Sequence, residues 1–492
     1  MKKRLCALAA CVLAGVIAAF PAAALPQFPM DYVYVEGENQ SVTDNNSRIY
    51  IPVTYNATEQ FSYVEDPEGF SPGFADPEDL FIAPDDTLYV ADTGNSRIVA
   101  LNPDGSTKAV WLQAGDSAFS MPKGVFVDKN GDIYVADSGN GRIVHMKQDG
   151  SLIKEYGKPE SELLADMAVY EPSKIVVGPT GYLYTLVGNK FMSIDTNNAF
   201  KGYLGATELD FDLGRFLVET FGTQSLKDRL PKREPPSYNN LFIDSQNRFV
   251  ACSAADTDQI RVINSVGRNI YKPGFYGETA GLDESNHALL PSFVDLTVDD
   301  NGIITLIEQR SGRLYQYDSE GNVLTVFSGL GDTRGYFTLP VSIAQDSSGN
   351  LYVLDKTNAV VQKFEPTDFI KLVHEASRLY LDGEYDESFA AWQDIIKINA
   401  DYPLARRRLG AIYVKKEDYA AALEQYDMAG DMDGYSTAFG LNRHEEFRAY
   451  FTPAVLCGAV VLAAAVTLVY FGKRYADRLR DKAYARRGRR YR

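Results

Sequence analysis

Cysteine is scarce in this chain, with four in 492 residues: Cys6, Cys11, Cys252 and Cys457. Three of them sit in apolar stretches near the two ends. Only Cys252 lies in the body, which excludes an intramolecular disulfide framework there. An exported body without disulfides fits a bacterial cell surface better than a eukaryotic secreted domain. Histidine is equally sparse. His145, His287, His374 and His444 are scattered and form no pair at metal-ligand spacing. There is no Gly-x-Ser-x-Gly elbow and no Cys–His pairing, so the common nucleophilic hydrolase motifs are missing. No cofactor is implied.

Positive charge is also short in the body. The net charge is −17, yet Met1 to Arg4 carries +3 and Lys473 to Arg492 carries +8, which leaves −28 between them. A body of that sign repels nucleic acid and anionic surfaces, so nucleic acid is not an expected partner. Long apolar runs occur only at the ends. Lys2, Lys3 and Arg4 precede Leu5 to Phe20, and Ala22-Ala23-Ala24 follows. That order reads as a secretory signal peptide over 1–24. Leu8-Ala9-Ala10-Cys11 is similar to a lipobox, but an ordinary Ala-rich signal core explains it. Near the other end, 451–472 is an apolar stretch long enough to span a bilayer. The basic tail 473–492 follows at once, which places the C-terminus in the cytoplasm and the body outside the cell.

What is abundant is tyrosine and phenylalanine, 31 and 26 residues, both strand formers. Leu88 to Ile98 reads Leu-Tyr-Val-Ala-Asp-Thr-Gly-Asn-Ser-Arg-Ile. It returns 45 residues later, at Ile133, as Ile-Tyr-Val-Ala-Asp-Ser-Gly-Asn-Gly-Arg-Ile. Asn130-Gly131 and Asp149-Gly150 are hairpin turns in the same unit. Four antiparallel strands in about 45 residues make one propeller blade. Six such units can be traced, each led by a proline: Pro77, Pro122, Pro172, Pro236, Pro291 and Pro340. A six-bladed β-propeller over 25–366 follows. The last unit has room for three strands, so Tyr50 to Tyr55 is expected to supply its outer strand and close the ring.

The units resemble NHL repeats, the family whose blades carry Leu-Tyr-Val-Ala-Asp…Asn…Arg-Ile. Asp92, Asn95 and Arg97, with Asp137, Asn140, Arg142 and Asp355, hold the motif positions. Their recurrence by blade points to turn-holding roles rather than to a ligand ring. Asp128 to Asp132 is similar to part of a calcium loop but lacks its closing glutamate. One unit is irregular. Leu183 and Phe249 are 66 residues apart against the regular 45, and the excess predicts a helical insertion near 208–236.

From Phe369 the apolar period becomes helical and a 34-residue repeat appears. Ala376, Tyr385 and Trp392 are followed by Gly410, Tyr413, Tyr419, Ala422, Tyr426 and Ala429. These positions resemble two tetratricopeptide (TPR) repeats, with a capping helix to residue 450. The resemblance implies protein partners, most simply subunits of a membrane complex. The expected function is therefore a membrane-anchored scaffold or ligand-capture protein at the cell surface. One alternative is a transmembrane sensor. Another is a metal-dependent lactonase, since lactonases of similar fold hold a metal at the channel through Glu, Asn and Asp.

Overall fold

The computed structural model describes residues 30–34, 48–62, 64, 73–165, 167–205, 236–255, 257–279 and 289–488. The expected signal peptide over 1–24 and nearly all of the expected 208–236 helical insertion lie outside these residues. The chain divides into two compact units, Met1–Tyr402 and Pro403–Arg492.

The first unit contains a six-bladed propeller. Blade 1 is Asp79–Ile82, Leu88–Asp92, Arg97–Leu101 and Thr107–Trp111, paired antiparallel in that order. Blades 2 and 3 repeat it from Pro122–Val127 and Pro172–Val177. Blade 4, starting at Asn240–Ile243, shows three strands among the described residues. Blades 5 and 6 start at Phe293–Val298 and Pro340–Gln345. The second strands, such as Leu88–Asp92 and Ile133–Asp137, are buried throughout, because each is covered on both faces by neighbouring blades.

Closure differs from the sequence expectation by five residues. Three N-terminal strands are present: β1 (Tyr32–Tyr34), β2 (Arg48–Tyr50) and β3 (Tyr55–Phe61). β3, not Tyr50 to Tyr55, forms the outer strand of blade 6, pairing with Val360–Pro366. Tyr50 ends β2 instead, and β2 and β1 extend the outer edge of blade 5. Two features explain the shift. Pro52 has no N–H to give a ladder. The Thr54 amide and hydroxyl are both taken by Asp31 Oδ2, at 2.5 and 2.7 Å. Ile51 to Thr54 therefore crosses between blades, and one N-terminal segment ties two of them together.

After blade 6 come helix α1 (Asp368–Asp382) and helix α2 (Tyr385–Ile398). Ala376 and Trp392 are fully buried here, and the Ser388 hydroxyl donates to the Ala376 carbonyl at 3.0 Å. Tyr385 opens α2 and packs edge-on against Tyr380.

The second unit is helical: α3 (Pro403–Lys415), α4 (Tyr419–Ala429) and α5 (Met432–Gly488). Tyr419 begins α4, and Ala422, Tyr426 and Ala429 form its buried face. Tyr413 packs against the cluster of Ala422, Tyr426 and Ala438. Gly410 lets α3 approach α4 closely, since a Cβ there would lie 3.0 Å from the Tyr426 ring. Gly410→Leu should therefore cost about 1–3 kcal/mol by overpacking. The helical circular-dichroism transition in urea measures this, and an unchanged midpoint would contradict the packing described.

The expected capping helix and the apolar stretch are one continuous helix, α5, running through Pro453. The proline costs the bond to the Ala449 carbonyl, and the flanking turns continue regardless. Among the described residues, α5 is the one helix long and apolar enough to cross a membrane, with a mean hydropathy of 2.5 in its apolar window.

A candidate binding site in the propeller channel

Each innermost strand carries one residue at an equivalent register just before its apolar run. These are Asp79, Gly124, Lys174, Asn240, Asp295 and Ser342, one from each blade and all but Gly124 polar. They form a ring across the channel. Lys174 Nζ pairs with Asp79 Oδ1, and Asp79 Oδ2 accepts the Val125 amide at 2.9 Å. Asp295 accepts from Asn240 Nδ2, from the Ser342 hydroxyl at 2.6 Å, and from the Ile343 and Leu296 amides at 2.8 Å each. Gly124 completes the ring because a Cβ would meet the Ser173 carbonyl at 2.5 Å, so only glycine admits the third blade.

Two carboxylates face one ammonium in this ring, all poorly accessible to water. Burial alone would lower the Lys174 pKa, but Asp79 and Asp295 outweigh it and hold the ammonium above its usual value. Burial pushes Asp79 up, and Asp295 adds to that push, while Lys174 opposes it. With all three groups charged, the ring carries one net negative charge in a low-dielectric setting.

Above this floor opens a cavity of about 830 Å³. That is ample for a small organic ligand, since such pockets run about 300–1,000 Å³. Its wall includes Phe81, Phe126 and Phe242, all half-buried, with the first two 4.9 Å apart. Its rim is made by the turns that end the inner strands, at Asp86, Lys129, Asp299 to Asn301 and Asp346 to Gly349. α1 adds Lys371, His374 and Glu375. Seven carboxylates and three lysines line the whole, so its field favours cations. His374 adds no charge at neutral pH. Burial lowers its pKa to about 4, and its Nε2 lies 3.1 Å from Gln316 Oε1.

The blade-motif residues lie elsewhere. Asp92 accepts the Ala75 amide at 2.7 Å, Asn95 Nδ2 at 2.9 Å and Arg97 Nε at 2.6 Å. Arg97 and Asn95 also donate to the Gly73 carbonyl. Asp137, Asn140 and Arg142 repeat this on Ser120 and Ala118. Asp355 takes the Thr338 and Leu339 amides, and in blade 5 Glu308 does the same job on Ser292. The motif fastens the loop that enters each blade. The residue after the aspartate links blades: Thr93 donates to the Pro122 carbonyl at 2.6 Å, and Ser138 to that of Pro172 at 2.5 Å. Asp128 is satisfied within its own turn by the Asn130 and Asp132 amides.

The ring escaped the sequence reading, although a signal was present. A polar residue stands before Leu-Phe-Ile at 79 and 240, before Ile-Val-Val at 174 and before Leu-Thr-Val at 295.

Comparison with known proteins adds a partial match. Residues 80–168 match the family model of the SMP-30/gluconolactonase/LRE-like region. Of the ring, only Gly124 lies inside that SMP-30-like stretch. No curated protein sequence matches the chain. Similar solved structures include a putative gluconolactonase at 13% identity, covering 64% of this chain and 94% of that one, with a TM-score of 0.39. A gluconolactonase from Xanthomonas campestris shows 12% identity over 63% and 98%, with a TM-score of 0.39. Virginiamycin B lyase from Staphylococcus aureus shows 13% over 63% and 88%, with a TM-score of 0.37.

A lactonase-type metal does not fit the ring. Its oxygen donors are Asp79, Asn240, Asp295 and Ser342, but Lys174 already places an ammonium on Asp79. The Asp295 oxygens are filled by four donors. A divalent ion there would sit against a buried positive charge. Among the described residues no cluster of three or more His, Cys, Asp or Glu is arranged to hold a metal.

Proposed function

We propose that the propeller is a capture module for a small, positively charged organic solute, held at the membrane by the apolar part of α5. The observation that carries this reading is the channel cavity: a net-negative buried floor, a phenylalanine wall and an acidic rim. An ammonium placed above the floor is drawn by the uncompensated charge, while its apolar body rests on Phe81, Phe126 and Phe242. The 34-residue helical repeat, similar to TPR units, is the part suited to a protein partner. Together they fit a solute-capturing subunit of a membrane complex at the cell surface.

Calorimetric titration of the full-length protein in detergent micelles tests the reading. Alkylammonium and arylalkylammonium probes are expected to bind, more weakly as salt rises. Matched carboxylates and neutral lactones are expected not to bind, and added divalent metal should induce no lactone hydrolysis. Carboxylate binding as tight as ammonium binding would overturn the proposal. Metal-dependent lactone turnover would favour the lactonase alternative, for which the 80–168 match speaks.

A further inference from the structure

α1 presents Lys371, His374, Glu375, Arg378, Leu381 and Asp382 at the spacing of one helical face. The first three line the channel cavity. The last three line a second cavity of about 400 Å³ between the ends of blades 4 and 5. The two cavities share the Asp299 to Asn301 turn as a common wall. From Lys371 to Asp382 the helix covers about 16 Å at 1.5 Å per residue. The two cavities thus adjoin as the arms of a cleft, flanked by α1 and divided by the Asp299 to Asn301 turn.

Charge in the second cavity is largely committed. Arg248 Nε is held by Asp244 Oδ2 at 2.6 Å. Arg378 is held by Glu375 and Asp382 at 2.8 Å each. Neither guanidinium is left over for an anion. Asp300, on the shared wall, is exposed and makes no ion pair among the described residues. It stands between the two cavities as an open carboxylate.

We propose that the second cavity is a distal subsite, so that the cleft takes a linear ligand with at least two separated ammonium groups, a compound of the polyamine class. One ammonium lies within the acidic rim of the channel cavity, and another passes Asp300 into the space beneath Leu381. This rests on the cation-binding reading of the channel, and its test separates the two. The probes are spermidine, a linear triamine, and propylamine, a monoamine of similar chemistry, titrated calorimetrically into the full-length protein. Spermidine should bind at least about tenfold more tightly than propylamine. Leu381 is 37% exposed, so Leu381→Trp can fill the subsite without disturbing the core. That variant should remove the spermidine advantage and leave propylamine affinity within about twofold. Asp300→Asn should reduce the advantage in the same direction. Equal binding of the two probes by the unaltered protein would overturn the subsite and leave the channel reading standing. So would an unchanged ratio in Leu381→Trp. Failure of both amines to bind would overturn the channel reading and the subsite with it.

Discussion

Asp92→Ala should destabilise the propeller by about 3–5 kcal/mol, the usual cost of stripping one partner from a buried ion pair. Asp92 and Arg97 are 0% and 1% exposed, so the guanidinium cannot replace the lost carboxylate with water. The variant also loses the acceptor for the Ala75 amide and for Asn95. Asp137→Ala is the internal control. Arg142 is 12% exposed and can turn to water where Arg97 cannot, so its loss should be clearly smaller. Trp111, on the outer strand of the same blade as Asp92, reports the transition by fluorescence in urea. The pair Asp92→Leu with Arg97→Met should recover part of the loss, since both charges of the buried pair are then removed together. Equal midpoints for Asp92→Ala and Asp137→Ala would show that burial is not what makes the first pair matter.

The same residues explain how much could be read from the sequence. The blade repeat was legible because identical local physics recurs. An aspartate before a Gly-Asn turn binds the entering loop wherever the loop returns at the same height, so it appears at fixed spacing. Blade count and the role of an N-terminal strand in closing the ring follow from that period. The register of closure did not, because it depends on Asp31 capturing Thr54, a contact between residues far from any repeat. The channel ring was hidden for the opposite reason. Its six positions share a place in the blade but not a chemistry: Asp, Gly, Lys, Asn, Asp and Ser complement one another around the axis. Period-seeking rewards sameness, and a network of partners is built from difference. The second cavity was beyond the sequence altogether, since it exists only where α1 meets two turns of the propeller.

The ring supplies the second large effect. Lys174→Met removes the ammonium facing Asp79 and Asp295, at a cost of about 3–5 kcal/mol near neutral pH. Unlike the loss of Asp92, this deficit should depend on pH, and the sign is fixed by linkage. Asp79 is already pushed above the ordinary carboxyl value, by burial first and by Asp295 as well. Without Lys174 the main influence opposing that push is gone. The folded variant then holds a proton that the unfolded chain, with its carboxyls near about 4, releases. Its stability is therefore greatest in mild acid and falls as pH rises through the raised folded-state value. In the parent, Lys174 is held above its usual value by the two carboxylates, so its contribution is intact through the neutral range and fades only in strong alkali. Urea midpoints at pH 5 and pH 8 should thus diverge for Lys174→Met more than for the parent, with the pH 5 value higher. Adding Asp79→Asn should abolish that divergence, because the carboxyl whose value is raised is then gone. If the single variant shows the same midpoint at both pH values, the two carboxylates are not sharing one positive charge. The floor of the channel would then lack the net negative charge on which cation capture depends.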